Sequence, residues 1–197
     1  MSEICALYDR IAKDYDRYRS KALMEAAYLE RVLSGLHEGA AVLDLGCGSG
    51  EPIARFFIER GCQVTGVDAA PAMLELCRTR FPNATWIEQD MRTLDLGRRF
   101  NAIIAWDSFF HLDANDQRCM FDVFARHSAS RAWLLFTSGP RAGIAIGDLY
   151  GEKLFHASLD AEEYEHLLRV HGFVVVLHCV EDPACGRHTV WLARRAV

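Results

Sequence analysis

Short apolar runs alternate with amphipathic stretches along most of the chain, and the two patterns predict different elements. Seven short apolar runs predict β-strands at residues 41–45, 63–67, 84–88, 101–106, 132–137, 173–180 and 189–193. Apolar positions at helical spacing predict helices at residues 51–59, 71–80, 113–126 and 160–172, after two helical pieces within residues 6–33. Because near-continuous apolar strands alternate with helices, the pattern predicts a parallel sheet that is covered on both faces.

The C-terminal part of the chain departs from this alternation. No helix separates the last two predicted strands, so we expect them to pair antiparallel at one edge of the sheet. Asp160 and Glu163 have the spacing of a capping box, and Pro52 suits the first turn of an earlier helix. Residues 138–157 are punctuated by glycine and are expected to be irregular.

Composition narrows the class of protein. The 197 residues fit one domain, and 51% apolar with 25% charged residues is ordinary for a soluble globular protein. The net charge is −5 without a basic run, so we expect no nucleic-acid partner. The start of the chain lacks a signal-type apolar stretch, and no stretch is apolar enough to span a membrane. We therefore expect a cytoplasmic protein.

The cysteines and histidines do not have the spacing of metal ligands. There are seven cysteines and eight histidines, without a CxxC pair or an HxxxH pair, which disfavours a disulfide framework and a structural zinc site. We therefore expect no metal. Asp182, Cys185 and His188 cluster in the last turn and could suggest a metal or a nucleophile, but a polar turn is the simpler interpretation.

The strongest motif follows the first predicted strand, where residues 44–50 read Asp-Leu-Gly-Cys-Gly-Ser-Gly. Gly46, Gly48 and Gly50 allow a tight turn and a close approach to a ligand, and the following helix offers free N–H groups. Asp44 would repel a pyrophosphate but favours the ammonium and sulfonium of S-adenosylmethionine. The alternative is a glycine turn that merely connects strand and helix.

This DxGxGxG motif in its strand–helix context resembles that of class I S-adenosylmethionine-dependent methyltransferases of the small-molecule type, and the resemblance covers nearly the whole chain. It implies an α/β, doubly wound, Rossmann-like fold with a mostly parallel seven-stranded sheet, an antiparallel C-terminal edge hairpin and N-terminal lid helices. Residues 1–197 would form a single methyltransferase domain, with residues 1–38 as the lid and residues 39–197 as the core. S-adenosylmethionine would be the methyl donor, S-adenosylhomocysteine its product, and the acceptor an unidentified small molecule.

The resemblance also assigns residues to the cofactor. Asp68, at the end of the second strand, would accept the two ribose hydroxyls, although a helix cap before Pro71 is an alternative role. Asp90 would accept from the adenine amino group while Met91 covers the ring. An ordinary loop acid is the alternative for Asp90.

Aromatic residues are assigned to the methionine end of the cofactor. By resemblance Trp106 would line the sulfonium region, although it could equally fill the core. Tyr8 and Tyr15 would belong to a segment that folds over the cofactor and excludes water, and an amphipathic core helix is the rival interpretation.

The sequence offers fewer candidate residues for the methyl acceptor than for the cofactor. A general base is needed only if the acceptor must lose a proton, and the candidates are His111, Tyr150 and His156. Two other functions stay open: a cofactor-binding protein without turnover, and an NAD-type oxidoreductase. Asp44 and the lack of a second domain count against the oxidoreductase. The oligomeric state is left open by the sequence.

Overall fold

The computed structural model describes residues 3–197, in which helices cover both faces of a central sheet. The strands are β1 (Ala41–Leu45), β2 (Gln63–Asp68), β3 (Thr85–Glu88), β4 (Phe100–Ala105), β5 (Ser128–Ser138), β6 (Gly143–Leu149), β7 (Glu152–Ser158), β8 (Phe173–Asp182) and β9 (His188–Arg195). The α-helices are α1 (Glu3–Tyr18), α2 (Ala26–Leu33), α3 (Ile53–Glu59), α4 (Pro71–Arg80), α5 (Ala114–His127) and α6 (Ala161–Val170). None of the helices in this range is long and apolar enough to cross a membrane.

The sheet has the predicted topology. Its seven strands lie in the order β3-β2-β1-β4-β5-β9-β8. Strands β1 to β5 are parallel, whereas β9 pairs antiparallel with β5 and with β8. The strand order reverses between β1 and β4, and in open α/β sheets ligands bind outside the carboxyl ends of the strands at such a point. The predicted fold class is confirmed.

Two apolar clusters form the core, one on each face of the sheet. On one face α5 and α6 bury large aromatic side chains: Phe121, Phe124, Phe136, Tyr164 and Trp191. On the other face α2 and α3 pack with Trp133 of β5. Helix α2 buries Tyr28, Leu29 and Val32 there, so it is a core helix. Of the two helices assigned to the lid, only α1 lies at the ligand-binding end of the sheet.

Side-chain caps begin two of the helices. Asp160 accepts a hydrogen bond from the Glu163 amide at 2.7 Å, as the capping-box spacing predicts. Asp113 accepts from the amides of Asn115 and Asp116, both at 2.9 Å, at the start of α5. Helix α3 begins at Ile53, two residues later than predicted.

The segment at residues 138–157 is not irregular, and here the prediction is wrong. Strands β6 and β7 form a separate antiparallel ribbon in which Leu149 pairs with Glu152. Tyr150 and Gly151 between them have φ of 56° and 84°, which are the positive values that a two-residue hairpin turn of type I′ requires. Small residues and glycines weaken the alternation of β6, and this concealed the strand.

Candidate functional site

A cavity of about 420 Å³ lies at the carboxyl ends of the central strands, between them, α1 and β7. Ten of the thirteen residues assigned to the site line it: Tyr8, Tyr15, Asp44, Gly46, Gly48, Asp68, Asp90, Met91, Trp106 and His111. Gly50, Tyr150 and His156 do not belong to its lining. The structure therefore brings together residues from α1 and from the ends of β1, β2, β3 and β4.

Gly48 and Gly50, in the turn after β1, are glycines for different structural reasons. Gly48 has φ of 52° and faces open space, because no atom lies within 4 Å of where a Cβ would stand. Gly50 has φ of 77°, and its Cβ would meet the rings of Phe81 and Trp86. Gly50 is therefore required for packing behind the turn, which corrects its assignment to the cavity wall.

Asp44 is the least compensated charged group at the site. Its side chain is buried, and no hydrogen-bond donor among the described residues contacts it. Burial, with a contribution from nearby Asp68, raises the pKa of Asp44 to about 7. A bound cation would favour the ionised carboxylate, so this position is suited to a positively charged ligand.

Asp68 holds the glycine turn in place from the end of β2. Its Oδ2 accepts from the Gly48 amide at 2.8 Å, and its Oδ1 accepts from the Ala70 amide at 2.9 Å. Helix α4 has Ala70 as its N-cap residue and no side-chain cap bond, so Asp68 orders the turn before the helix without capping it. Each carboxylate oxygen keeps a further lone pair that can accept a ligand hydroxyl. Burial raises the pKa of Asp68, while its bonds to the backbone amides lower it.

Asp90 is already engaged by a neighbouring arginine. The guanidinium of Arg92 makes a bidentate pair with it, with nitrogen–oxygen distances of 2.6 to 3.0 Å, and also contacts Asp116 at 2.8 Å. Hydrogen bonding to Arg92 lowers the pKa of Asp90. An adenine amino group would therefore share this carboxylate with Arg92.

Helix α1 presents one polar face to the cavity. Tyr8 lies 3.2 Å from His111 Nε2, and the Arg19 guanidinium donates to the Tyr15 hydroxyl. Arg19 also lies 3.8 Å from Asp107. Sequence reasoning missed Arg19, although it follows Tyr15 by four residues and continues the same side of the chain.

Helix α1 is also held against α4 by a hydrogen bond and an ion pair. Asp9 accepts from the Ala72 amide at 2.8 Å, and Asp16 pairs with Arg80. Ala12 is buried against Met73 between the two helices. Both interpretations of the segment therefore have a structural basis, since α1 packs on α4 with one face and covers the cavity with another.

The three catalytic candidates occupy different environments. His111 Nδ1 lies 2.9 Å from the Phe155 carbonyl oxygen, and burial lowers the pKa of this histidine to about 4. His156 packs on the His111 ring at 5.0 Å between centroids, outside the cavity lining. Tyr150 is exposed at the hairpin turn, 6.5 Å from the ring of Tyr18. Only His111 is brought to the cavity.

Asp107 and His188 are further polar residues that sequence reasoning did not assign. His188 Nε2 lies 3.0 Å from Asp107 Oδ1, and the imidazole stacks on Trp106 at 5.4 Å between ring centroids. Trp106 is both buried and part of the cavity wall. Asp107 lines the cavity directly after β4.

The polar side chains of the turn between β8 and β9 have different hydrogen-bond partners. Asp182 accepts from the Tyr28 hydroxyl at 2.6 Å and from the Ala184 amide at 2.9 Å, while Cys185 is buried. His188 instead turns toward Asp107. Within residues 3–197 no group of three or more His, Cys, Asp or Glu side chains is arranged to hold a metal ion.

Residues 42–130 match the model of the family described as Methyltransferase domain. This match runs from β1 to the start of β5 and contains the glycine turn, Asp68, Asp90, Trp106 and His111. It excludes α1, the β6–β7 ribbon and the last two strands.

Curated relatives agree with that match over part of their length. A demethylmenaquinone methyltransferase of Tropheryma whipplei is 35% identical over 92 residues, which cover 43% of this chain and 38% of the relative. A dTDP-3-amino-3,6-dideoxy-alpha-D-glucopyranose N,N-dimethyltransferase of Streptomyces fradiae is 35% identical over 115 residues, 56% of this chain and 42% of the relative. The matched part is thus less than half of either relative.

A solved structure extends the similarity to the whole fold. The S-adenosylmethionine-bound amino pentose methyltransferase from Micromonospora echinaspora, involved in calicheamicin biosynthesis, superposes with a TM-score of 0.73 at 23% identity. The superposition covers 94% of this chain and 95% of that one. It supports the fold, including the regions that the family model does not reach.

Proposed function

We propose that this chain is a class I S-adenosylmethionine-dependent methyltransferase that transfers a methyl group from S-adenosylmethionine to a small molecule. The observation that carries the proposal is Asp44, a buried carboxylate without a donor, next to a glycine turn that is open to the cavity. Such an arrangement suits a cationic ligand that approaches the backbone closely. When bound, S-adenosylmethionine supplies a methyl group already activated by its sulfonium.

The residues present fit the nucleoside part of the cofactor. Asp68 has one lone pair left on each carboxylate oxygen and can accept two ribose hydroxyls. Met91 and Asp90 line the adjoining wall, where we assign them to the adenine ring and its amino group. Asp90 would then accept from both the amino group and Arg92.

The methionine end has charges of both signs, as a zwitterion requires. Asp44 is assigned to the ammonium group. Arg19, which lines the cavity and is linked to Tyr15, is assigned to the carboxylate group. The charge of Arg19 also lowers the pKa of Asp44, so the two groups act on the same region.

Helix α1 has the role of excluding water. It reaches the cavity with Tyr8, Tyr15 and Arg19, whereas its bonds to α4 anchor its opposite side. Excluding water strengthens every charge interaction inside the cavity. The relatives named above act on acceptors as different as a demethylmenaquinone and a nucleotide-linked amino sugar, so we leave the acceptor at the level of a small molecule.

The proposal is tested by ligand discrimination. S-adenosylhomocysteine should raise the melting temperature and bind in calorimetry, whereas NAD should not bind, because its pyrophosphate would face Asp44 and Asp68. Asp68→Ala should weaken S-adenosylhomocysteine binding by about 2–3 kcal/mol, since a charged acceptor is lost. The exposed Asp95→Asn is the matched control and should bind like the wild type.

Stabilisation by NAD without stabilisation by S-adenosylhomocysteine would overturn the assignment. Binding without methyl transfer to any small molecule would instead support the cofactor-binding alternative. Unchanged affinity in Asp68→Ala would show that this carboxylate is not the ribose ligand.

A further inference from the structure

One wall of the cavity carries polar groups, the Asp107 carboxylate and the Trp106 indole N–H, that the assignments made for the cofactor do not use. It lies after β4 and contains Trp106 and Asp107, with His188 behind them. Asp107 has φ of 49°, a left-handed conformation that is uncommon for a residue other than glycine. Its amide donates to Thr137 Oγ1 at 2.9 Å, which helps to hold this conformation. The backbone is thus fixed so that Asp107 reaches the cavity.

His188 keeps Asp107 in place and carries a proton on each ring nitrogen. Its Nδ1 lies 2.7 Å from the Cys185 carbonyl oxygen, which can only accept, so Nδ1 donates. Its Nε2 lies 3.2 Å from Asp107 Oδ2 and donates to that carboxylate. The bond to Asp107 raises the pKa of His188. An imidazolium without a free lone pair cannot act as a base.

The other histidines near this wall are also poor bases. His111 Nδ1 donates to the Phe155 carbonyl, so Nε2 carries the lone pair, and Tyr8 already donates to it. Burial lowers the pKa of His111 to about 4, and burial also lowers the pKa of His156. An alcohol acceptor, which must lose its proton on attack, therefore lacks a histidine base here. Asp44, whose pKa lies near 7, is assigned to the cofactor.

The wall also has a buried N–H group without a hydrogen-bond partner. Trp106 Nε1 is buried and makes no hydrogen bond within the described residues, whereas Asp107 Oδ1 lies 3.0 Å from His188 Nε2 in their ion pair. Trp106 is only 4% exposed, and an unbonded N–H at that depth costs free energy unless a ligand accepts from it. The wall therefore suits a ligand that offers an acceptor atom to the indole and donates to the Asp107 carboxylate, whose side chain is 23% exposed and lines the cavity.

We propose that the acceptor is an amine with a neighbouring oxygen, that Asp107 binds its N–H, and that His188 is a positioning residue for Asp107. This inference rests on the proposed function. The amine attacks through the lone pair of its neutral form; an amine that binds Asp107 as the ammonium first releases one proton to water, so the step needs no histidine base. The acceptor nitrogen forms the new N–C bond while the C–S bond breaks and its electron pair stays on sulfur. The resulting ammonium loses its proton to water.

The test compares two probes that differ in a single group. trans-2-Aminocyclohexanol and trans-1,2-cyclohexanediol are titrated into the protein saturated with S-adenosylhomocysteine. Binding is followed by the indole N–H resonance of Trp106, which is identified with Trp106→Phe. We expect the amine to shift this resonance and to bind at least about tenfold more tightly, because charge-assisted hydrogen bonds are the stronger ones.

Two variants test whether Asp107 is the source of the preference for the amine over the diol. Asp107→Asn keeps the shape and removes the charge, so the preference for the amine should disappear while S-adenosylhomocysteine affinity stays within about threefold. Asp122→Asn makes the same change on α5, where the side chain is 74% exposed, and should leave the preference intact. The nitrogen resonances of His188 should show two protonated nitrogens at pH 7.5 in the wild type and one in Asp107→Asn.

Three results would overturn the amine inference: equal affinity for both probes, no binding of either, or a preference that survives Asp107→Asn. Failure of the wild type to bind S-adenosylhomocysteine would instead overturn the proposed function. A His188 ring with one proton in the wild type would remove its positioning role.

Discussion

The two halves of the cavity are built in different ways. The half around Asp44, Gly48 and Asp68 comes from the ends of β1 and β2, where backbone amides hold the Asp68 carboxylate and no donor among the described residues contacts Asp44. The half around Asp107 and His111 combines α1, β7 and β9 with the turn after β4, and side chains hold one another there.

The two halves also differ in how far apart in the sequence their contacting residues lie. Gly48, in the turn after β1, and Asp68, at the end of neighbouring β2, are 20 residues apart, whereas Asp107 and His188 are 81 residues apart. A site that relies on adjacent strands is positioned by the sheet alone. A site that relies on distant side chains can be changed at one contact without loss of the sheet, as acceptor variation in a family requires.

The largest expected effect is that of Asp44→Asn in the first half, which should weaken ligand binding and yet stabilise the fold. Asp44→Asn should weaken S-adenosylhomocysteine binding by about 3 kcal/mol, roughly 100-fold, because the charged partner of the ammonium is removed. The folded pKa of Asp44 lies near 7, above the unfolded value of 3.8. Ionisation therefore costs stability as pH rises from about 4 to 7.

The same variant should consequently raise the free energy of unfolding at pH 8, by up to about 4 kcal/mol, and change it little at pH 4. Urea unfolding at both pH values measures this, with Asp107→Asn as the comparison from the other half. A variant that is destabilised at pH 8 would contradict the uncompensated burial of Asp44.

A second expected effect is a pH dependence confined to the first half. Below about pH 7 the empty site holds Asp44 protonated, so binding of a cation must release that proton. Affinity for S-adenosylhomocysteine should fall about tenfold per pH unit below pH 7 and level off above it. Calorimetry in two buffers of different ionisation enthalpy counts the released proton, and Asp44→Asn should show no release. A flat profile in the wild type would assign the ammonium to another group.

The smallest expected effect concerns the second half and its helix. Amide exchange in residues 6–20 should slow when S-adenosylhomocysteine binds, and more than exchange in β8 and β9, because the ligand favours the closed helix. Tyr8→Phe removes the bond to His111 and should lower the free energy of local opening by about 1 kcal/mol. Amide exchange in this segment should then be about fivefold faster. Tyr18→Phe is the control, since Tyr18 is exposed on the same helix. Exchange that is slow without ligand would make α1 an ordinary core helix.

Much of the first half could be predicted from the sequence. Asp44, the glycine turn and Asp68 follow directly on apolar runs, and parallel strands bring their carboxyl ends to one edge. Gly50 shows the limit of this reasoning, because the sequence does not say whether a glycine faces a ligand or the ring of a neighbour such as Trp86. In the second half the sequence predicted Tyr8, Tyr15, Trp106 and His111 but missed Asp107, Arg19 and His188.

The sequence by itself determined the order of strands and helices, the edge hairpin and the loop that meets the ligand, because periodicity and turn chemistry depend on residues close in the chain. The tertiary structure alone decided that His188 reaches Asp107, that α2 joins the core and that the ribbon lies beside His111. It also decided the direction in which the pKa values of the buried acids and histidines shift, because burial and partners from distant parts of the chain cause those shifts.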